Sequence, residues 1–252
     1  SLVPVWFAYG FHPYARRVRG KLNVRVCDLT LGETTMWKFV ISSLFVAAAS
    51  PLAAESLRQR PDSCVLVATT QDDHCAVTNY FRCPGADPVA FWQEISHGNG
   101  ALETHAMDAD HGVVEIAMPG GPTIRARSSG DHPRVAVKTG SARSTERATI
   151  ESGGSSQSAT MVTEYAYEGE TRKLAGETFD RLTVSSDLDF PESGSRLHTS
   201  GTVLFSEQLD LLILEVDVSD GQGGSARTIK LKSLALEGQK GFGSTRPRYG
   251  CN

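Results

Sequence analysis

The stretch from Leu209 to Val218 constrains the fold more than any other part of the chain. Leu212, Leu214, Val216 and Val218 fall on one side, and Glu215 and Asp217 on the other. A period of two puts one row of side chains in a core and the next in solvent, which is the signature of a half-buried strand. Thr199 to Ser206 stands just before it as its natural hairpin partner.

The same grammar repeats along the chain, with short β-prone runs separated by turn residues. Cys64 to Thr70 is followed by a turn at Gln71 to His74, and Ala76 to Arg82 alternates around Val77, Asn79 and Phe81. Val89 to Ser96, Ala101 to Met107, Val113 to Met118, Thr123 to Arg127 and Arg134 to Lys138 follow, divided by Gly, Pro, Asp and Asn. Met161 to Tyr167, Phe179 to Phe190 and Thr228 to Leu236 continue the pattern. Only Asp87 to Glu94 reads as a short helix. The expected class is all-β, an antiparallel meander forming a sandwich or a curved, barrel-like sheet. Thr139 to Ala159 is rich in Ser, Gly, Thr and Arg and poor in large apolar residues, so it reads as a loop or linker, with room for a short strand at Ala148-Thr149-Ile150. It lies between a first half, 55–138, and a second half, 160–252, which form two domains or one.

Ahead of the β pattern lies a different signal. Met36-Trp37-Lys38, the apolar run Phe39 to Ala49 and Ser50-Pro51-Leu52-Ala53-Ala54 have the three-part form of a signal peptide over 36–54. The apolar run is shorter than the ~20 residues a membrane-spanning helix needs, so no stable anchor is expected after cleavage. Residues 1–35 would precede that signal and read as a disordered product of translated upstream DNA. Gly32-Glu33 is compatible with codons containing a bacterial ribosome-binding sequence, two codons ahead of Met36. The expected location is periplasmic or secreted.

The first 54 residues hold six of the 25 Lys+Arg and two of the 29 Asp+Glu, which leaves 19 basic and 27 acidic groups and a net charge of −8. With no Lys/Arg run after residue 54, this balance argues against nucleic acid and anionic membrane surfaces as partners. An unknown protein or an apolar small ligand is the expected partner class.

Four cysteines remain after residue 54: Cys64, Cys75, Cys83 and Cys251. An even count behind a signal peptide reads as two disulfides. A straight strand over 75–83 holds its two cysteines about 26 Å apart, too far to join. A hairpin turning at Asp72-Asp73-His74 brings Cys64 to Cys83 and leaves Cys75 for Cys251.

A resemblance enters on Tyr165-Ala-Tyr-Glu-Gly-Glu170, Leu174-Ala-Gly-Glu-Thr-Phe-Asp180, Gly201-Thr-Val-Leu-Phe-Ser206 and Leu211-Leu-Ile-Leu214. This pattern is similar to that of uncharacterised bacterial exported β proteins. The resemblance implies a periplasmic β domain and carries over no functional residue.

The densest polar cluster is His97, Glu103, His105, Asp108, Asp110 and His111. Imidazoles and carboxylates at this spacing suit a divalent metal, the only cofactor the sequence suggests, and would make the chain a metal-binding protein or metal-dependent hydrolase. The other reading is a set of strand faces and turn tips. Asp108-Ala-Asp110-His-Gly112 begins like a calcium loop but places Gly112 at the fifth position and Pro119 at the twelfth. No G-x-S-x-G elbow marks a serine nucleophile, although His132 and His198 are available as bases. The aromatics Tyr80, Phe81, Phe91 and Trp92 form either a core cluster or a binding surface. A non-enzymatic binding or envelope-associated module is the leading expectation.

Overall fold

The computed structural model describes residues 59–215, 217–218 and 227–251. The segment 1–35, the signal reading of 36–54 and the position of Val216 in the alternating strand lie outside the described residues.

The fold is all-β. Strands β1 (Val65–Asp72), β2 (Ala76–Arg82), β3 (Phe91–His97), β4 (Leu102–Met107), β5 (Val113–Ala117) and β6 (Thr123–Gly130) precede one short helix, α1 (Pro133–Thr139). Then come β7 (Ser141–Ser152), β8 (Ser155–Leu174), β9 (Glu177–Phe190), β10 (Ser195–Ser206), β11 (Leu211–Glu215), β12 (Asp217–Val218), β13 (Arg227–Thr228) and β14 (Leu231–Leu236). Twelve strands form one antiparallel sheet in the order β11 to β1, each beside its chain neighbour, with β14 added to the outer side of β1. β12 and β13 pair separately.

This long sheet rolls into a nearly closed, barrel-like form whose last strands tuck inside. From Leu182 to Phe190 burial follows the even positions, so one face of β9 points inward. At the end of the sheet both faces are covered. Val203 and Phe205 pack with Leu182, Ala142 and Ala136 of α1. Their neighbours Leu204, Leu211 and Ile213 pack on Ala68, Tyr80, Leu231, Leu234 and Leu236. The sheet is therefore a spiral, in which the β10–β11 hairpin fills the space between α1 and the β14–β1–β2 edge. Burying both rows explains why Leu211-Leu-Ile-Leu214 is apolar throughout.

The disulfides are Cys64–Cys83 and Cys75–Cys251, the pairing expected from the hairpin. Val65 pairs with Arg82, so Cys64 stands opposite Cys83 one step further on. The turn carries Cys75 at φ 57°, and Asp72 accepts the His74 N–H at 2.7 Å. Residues 237–251 cross the outer face of β1 and β2. There Thr69 accepts the Gly243 N–H, Asn79 donates to the Ser244 carbonyl and Gln71 accepts the Arg248 N–H.

Three expectations need correction. Residues 139–159 are not a linker: they hold β7 and the start of β8, joined by a tight Gly153–Gly154 turn. The inward positions of β7 are Ala142, Ser144, Glu146, Ala148 and Ile150, mostly small or polar because α1 and the tucked hairpin already occupy that side. Arg134 to Lys138 is helix, not strand. Pro133 sits in its first turn, and Gly140, at φ 92°, closes its end by donating to the Ala136 carbonyl. Asp87 to Glu94 is not a helix: it leads into β3, where Phe91 pairs with Arg82 and Met107.

The four aromatics are core residues, not a binding surface, but they belong to different layers. Tyr80 faces inward in the cluster around Phe179. Phe81 and Trp92 pair across strands on the outer face, beneath Val89 and the Cys64–Cys83 bridge. Phe91 points the other way, against His111.

Candidate functional site

The β3–β4 hairpin gathers the first part of the sequence cluster. Ile95 pairs with Glu103 and Gln93 with His105, so His97, Glu103 and His105 share the inward face. His105 Nε2 lies 2.5 Å from Glu103 Oε1, and His97 Nε2 lies 3.5 Å from Oε2. Glu103 is 4% exposed. Its burial favours the neutral acid, yet hydrogen bonds and charge from His105 and His97 prevail and hold the carboxyl down at about 2.

The following turn takes the other residues elsewhere. Asp108 Oδ1 accepts the N–H groups of Asp110, at 3.0 Å, and of Gly112, at 2.8 Å, which is the ordinary work of an Asp in a turn. His111 adopts φ 65° and swings inward. Its ring stacks on Phe91 at 4.3 Å between centroids and meets the edge of Phe205 at 5.8 Å. His111 Nε2 is 3.2 Å from Asp210 Oδ1, which also accepts from Arg134 at 2.6 Å. Desolvation works against the Asp210 carboxylate, but these two partners outweigh it and lower the carboxyl to about 2.

The six clustered residues thus separate into a His97–Glu103–His105 array, an Asp108–Asp110 turn and a His111–Asp210–Arg134 latch. Among the described residues, no group of three or more His, Cys, Asp or Glu is arranged to hold a metal ion. Nε2 of His105 and Nε2 of His111 each lie within hydrogen-bond reach of a carboxylate. The two histidines weighed as bases are also apart. His132 contacts Ser128 at 3.4 Å, whereas His198 pairs with Asp187 at 2.9 Å. Serine and carboxylate have different histidine partners here, which is not a nucleophile–base–orienter array.

Sequence reasoning missed two features, both on β7. The first is Glu146, opposite Ser128 in the β6–β7 pair and 7% exposed. Desolvation raises its carboxyl to about 7. The Val113 N–H, 3.4 Å from Oε1, opposes the rise, and the charge of Asp108 adds to it. The second is a groove of about 570 Å³ that runs on from β7 across β8 to β9, where Asp131, Ser141, Arg143, Glu164, Thr183 and Ser185 alternate with the apolar Ala142, Tyr165 and Ala166. Two cross-strand rows build it: Ser141–Ala166–Thr183 and Arg143–Glu164–Ser185. The Ser/Arg-rich composition that reads as a linker is the same composition that makes this face polar.

Among the described residues no helix is long and apolar enough to cross a membrane. Comparison with protein-family models, with curated proteins and with solved structures finds no match to this chain.

Proposed function

We propose that this chain is exported to the bacterial periplasm and works there as a non-enzymatic, protein-binding envelope module. The groove across β7, β8 and β9 is its docking surface. The observation that carries the reading is the groove itself. It lies on long, mutually paired strands and presents hydroxyls beside an exposed Arg143–Glu164 pair at 3.6 Å. This open, mixed lining, with Ala142, Tyr165 and Ala166 set among hydroxyls and charges, suits the surface of a protein better than an apolar small molecule. The signal pattern at 36–54 and the two disulfides support the compartment.

Two experiments test it. Alkaline phosphatase fused after Ala54 should be active, and Leu44→Arg in the apolar run should abolish that activity; an inactive parent fusion refutes export. For binding, a photo-crosslinking amino acid at Thr183 or Ser185 should give one discrete protein adduct that disappears with Arg143→Glu. Adducts that form equally well from the opposite face of the sheet would remove the groove from the proposal.

A further inference from the structure

The segment 237–251 is held on β1 and β2 in an unusual way. Thr69, Gln71 and Asn79 are 2%, 4% and 3% exposed, and all three are polar. Thr69 and Asn79 stand directly opposite one another, and the Thr69 hydroxyl donates to Asn79 Oδ1 at 2.7 Å. Each then bonds main chain of the crossing segment. Thr69 Oγ1 takes the Gly243 N–H at 2.9 Å, Asn79 Nδ2 gives to the Ser244 carbonyl at 3.0 Å, and Gln71 Oε1 takes the Arg248 N–H at 3.0 Å. The Cys75 N–H adds a bond to the Tyr249 carbonyl at 3.0 Å. The segment, which is irregular and bends at Arg246 and Tyr249, is thus held through its backbone by side chains of the sheet, so its hold depends little on its own side chains. Buried polar groups of this kind are costly to bury without partners but well solvated once uncovered, so a polar seat can open where an apolar one cannot.

Beyond these hydrogen bonds the strap is fastened covalently. Cys75 and Cys64 are both half-buried, but their partners differ: Cys251 is exposed, whereas Cys83 is 2% exposed within the cluster around Trp92. Gly250 crosses so close to the Asp73 carbonyl that a side chain there would collide with it. The clasp is therefore tight but open to attack from outside.

We infer that the Thr69–Gln71–Asn79 strip is a peptide-binding surface which the chain's own residues 243–249 occupy, and that reduction of Cys75–Cys251 uncovers it for an extended segment of a partner protein. The reductant is a protein dithiol. Its thiolate attacks one sulfur of the bridge, its second thiol resolves the mixed disulfide, and two electrons and two protons leave Cys75 and Cys251 as thiols while the dithiol becomes a disulfide. This surface is separate from the β7–β9 groove, and its test does not depend on that groove.

The test uses the full chain under native conditions. After brief treatment with dithiothreitol and alkylation, peptide mass spectrometry should find Cys75 and Cys251 modified at least about tenfold faster than Cys64 and Cys83, following exposure. Hydrogen exchange should then show the Gly243 and Arg248 amides losing protection while the β1–β2 ladder keeps its own. A fluorescent peptide of residues 241–251 carrying Cys251→Ser should bind the reduced protein and not the oxidised one. The Cys75→Ser/Cys251→Ser double variant should bind it without reductant. Straps that stay protected after reduction, a peptide that binds neither opened form, or an opened protein that only exchanges straps with a second copy would each overturn the inference.

Discussion

Asp210 and His111, 99 residues apart in the chain, meet at 3.2 Å, and the same carboxylate oxygen holds Arg134 of the helix at 2.6 Å. One acid in the β10–β11 turn thereby ties the tucked hairpin to the β4–β5 turn and to α1. The stacked Phe91 and the edge of Phe205 close the rest of the space around the imidazole.

Replacing this acid with a neutral isostere should loosen the roll without emptying the core. Asp210→Asn is expected to lower stability by about 1–3 kcal/mol, because two donors lose a charged acceptor. Urea unfolding monitored by circular dichroism would measure this. The Arg134→Met variant should cost about as much and add little to Asp210→Asn, since both break the same latch.

Glu146 gives a pH dependence of unusual sign. Its carboxyl is raised from 4.5 to about 7 by burial, so the folded state holds a proton that the unfolded chain releases. The contribution is complete below pH 4.5 and is lost as the pH rises through 7, by on the order of 3 kcal/mol. Glu146→Gln should flatten the stability curve across this interval. Thermal midpoints at pH 4.5, 5.5, 7 and 8 for both proteins would show it, and an unchanged slope in the variant would refute the assignment.

Glu103 works in the opposite direction. Held at about 2 by His105 and His97, it contributes above pH 4.5 and loses that contribution as the pH falls toward 2. Glu103→Gln should therefore remain folded near neutrality with a loss of about 2–3 kcal/mol, and its acid unfolding should be less steep than that of the parent. Acid titration followed by the fluorescence of the buried Trp92 is a direct measurement.

The same array should not take up metal. His105 and His97 both face Glu103, and His111, in the turn after β4, is spent on Asp210. Dialysis against zinc followed by elemental analysis should give less than one equivalent per chain, unchanged by His105→Ala. Stoichiometric zinc lost in that variant would restore the metal-centre reading.

What the sequence revealed depended on distance along the chain. The β10–β11 pairing and the Cys64–Cys83 bridge join neighbouring strands across a local turn, so they could be read directly. The half-buried reading of 209–218 was wrong: both rows of β11 are covered, the strand ends at Glu215, and Asp217–Val218 pairs in a separate sheet. β7 could not, because Ala142, Ser144 and Glu146 face inward and nothing in their composition suggests burial. The helix α1 was ambiguous for another reason: Val135 and Val137 fit a short strand as well as a helical turn, and Pro133 and Gly140 decide the matter only through backbone geometry. The shared inward face of Glu103 and His105 was legible as alternation. The separation of His111 from them was not, since it depends on a left-handed residue in a turn and on an acid 99 positions later.

The strand order also sets an order of construction. From β2 to β11 every strand bonds only to strands adjacent in the chain, so each pair can close locally, β6–β7 across the segment that holds α1 and the others across turns and loops. The β1–β14 pair is the exception, matching Ala68 with Leu236 and Thr70 with Leu234. Until Leu231, Leu234 and Leu236 arrive, Ala68, Tyr80 and Ile213 share an unfilled apolar flank. Closure of the β1 edge therefore waits on the most distant pairing in the sheet, and no local turn can substitute for it.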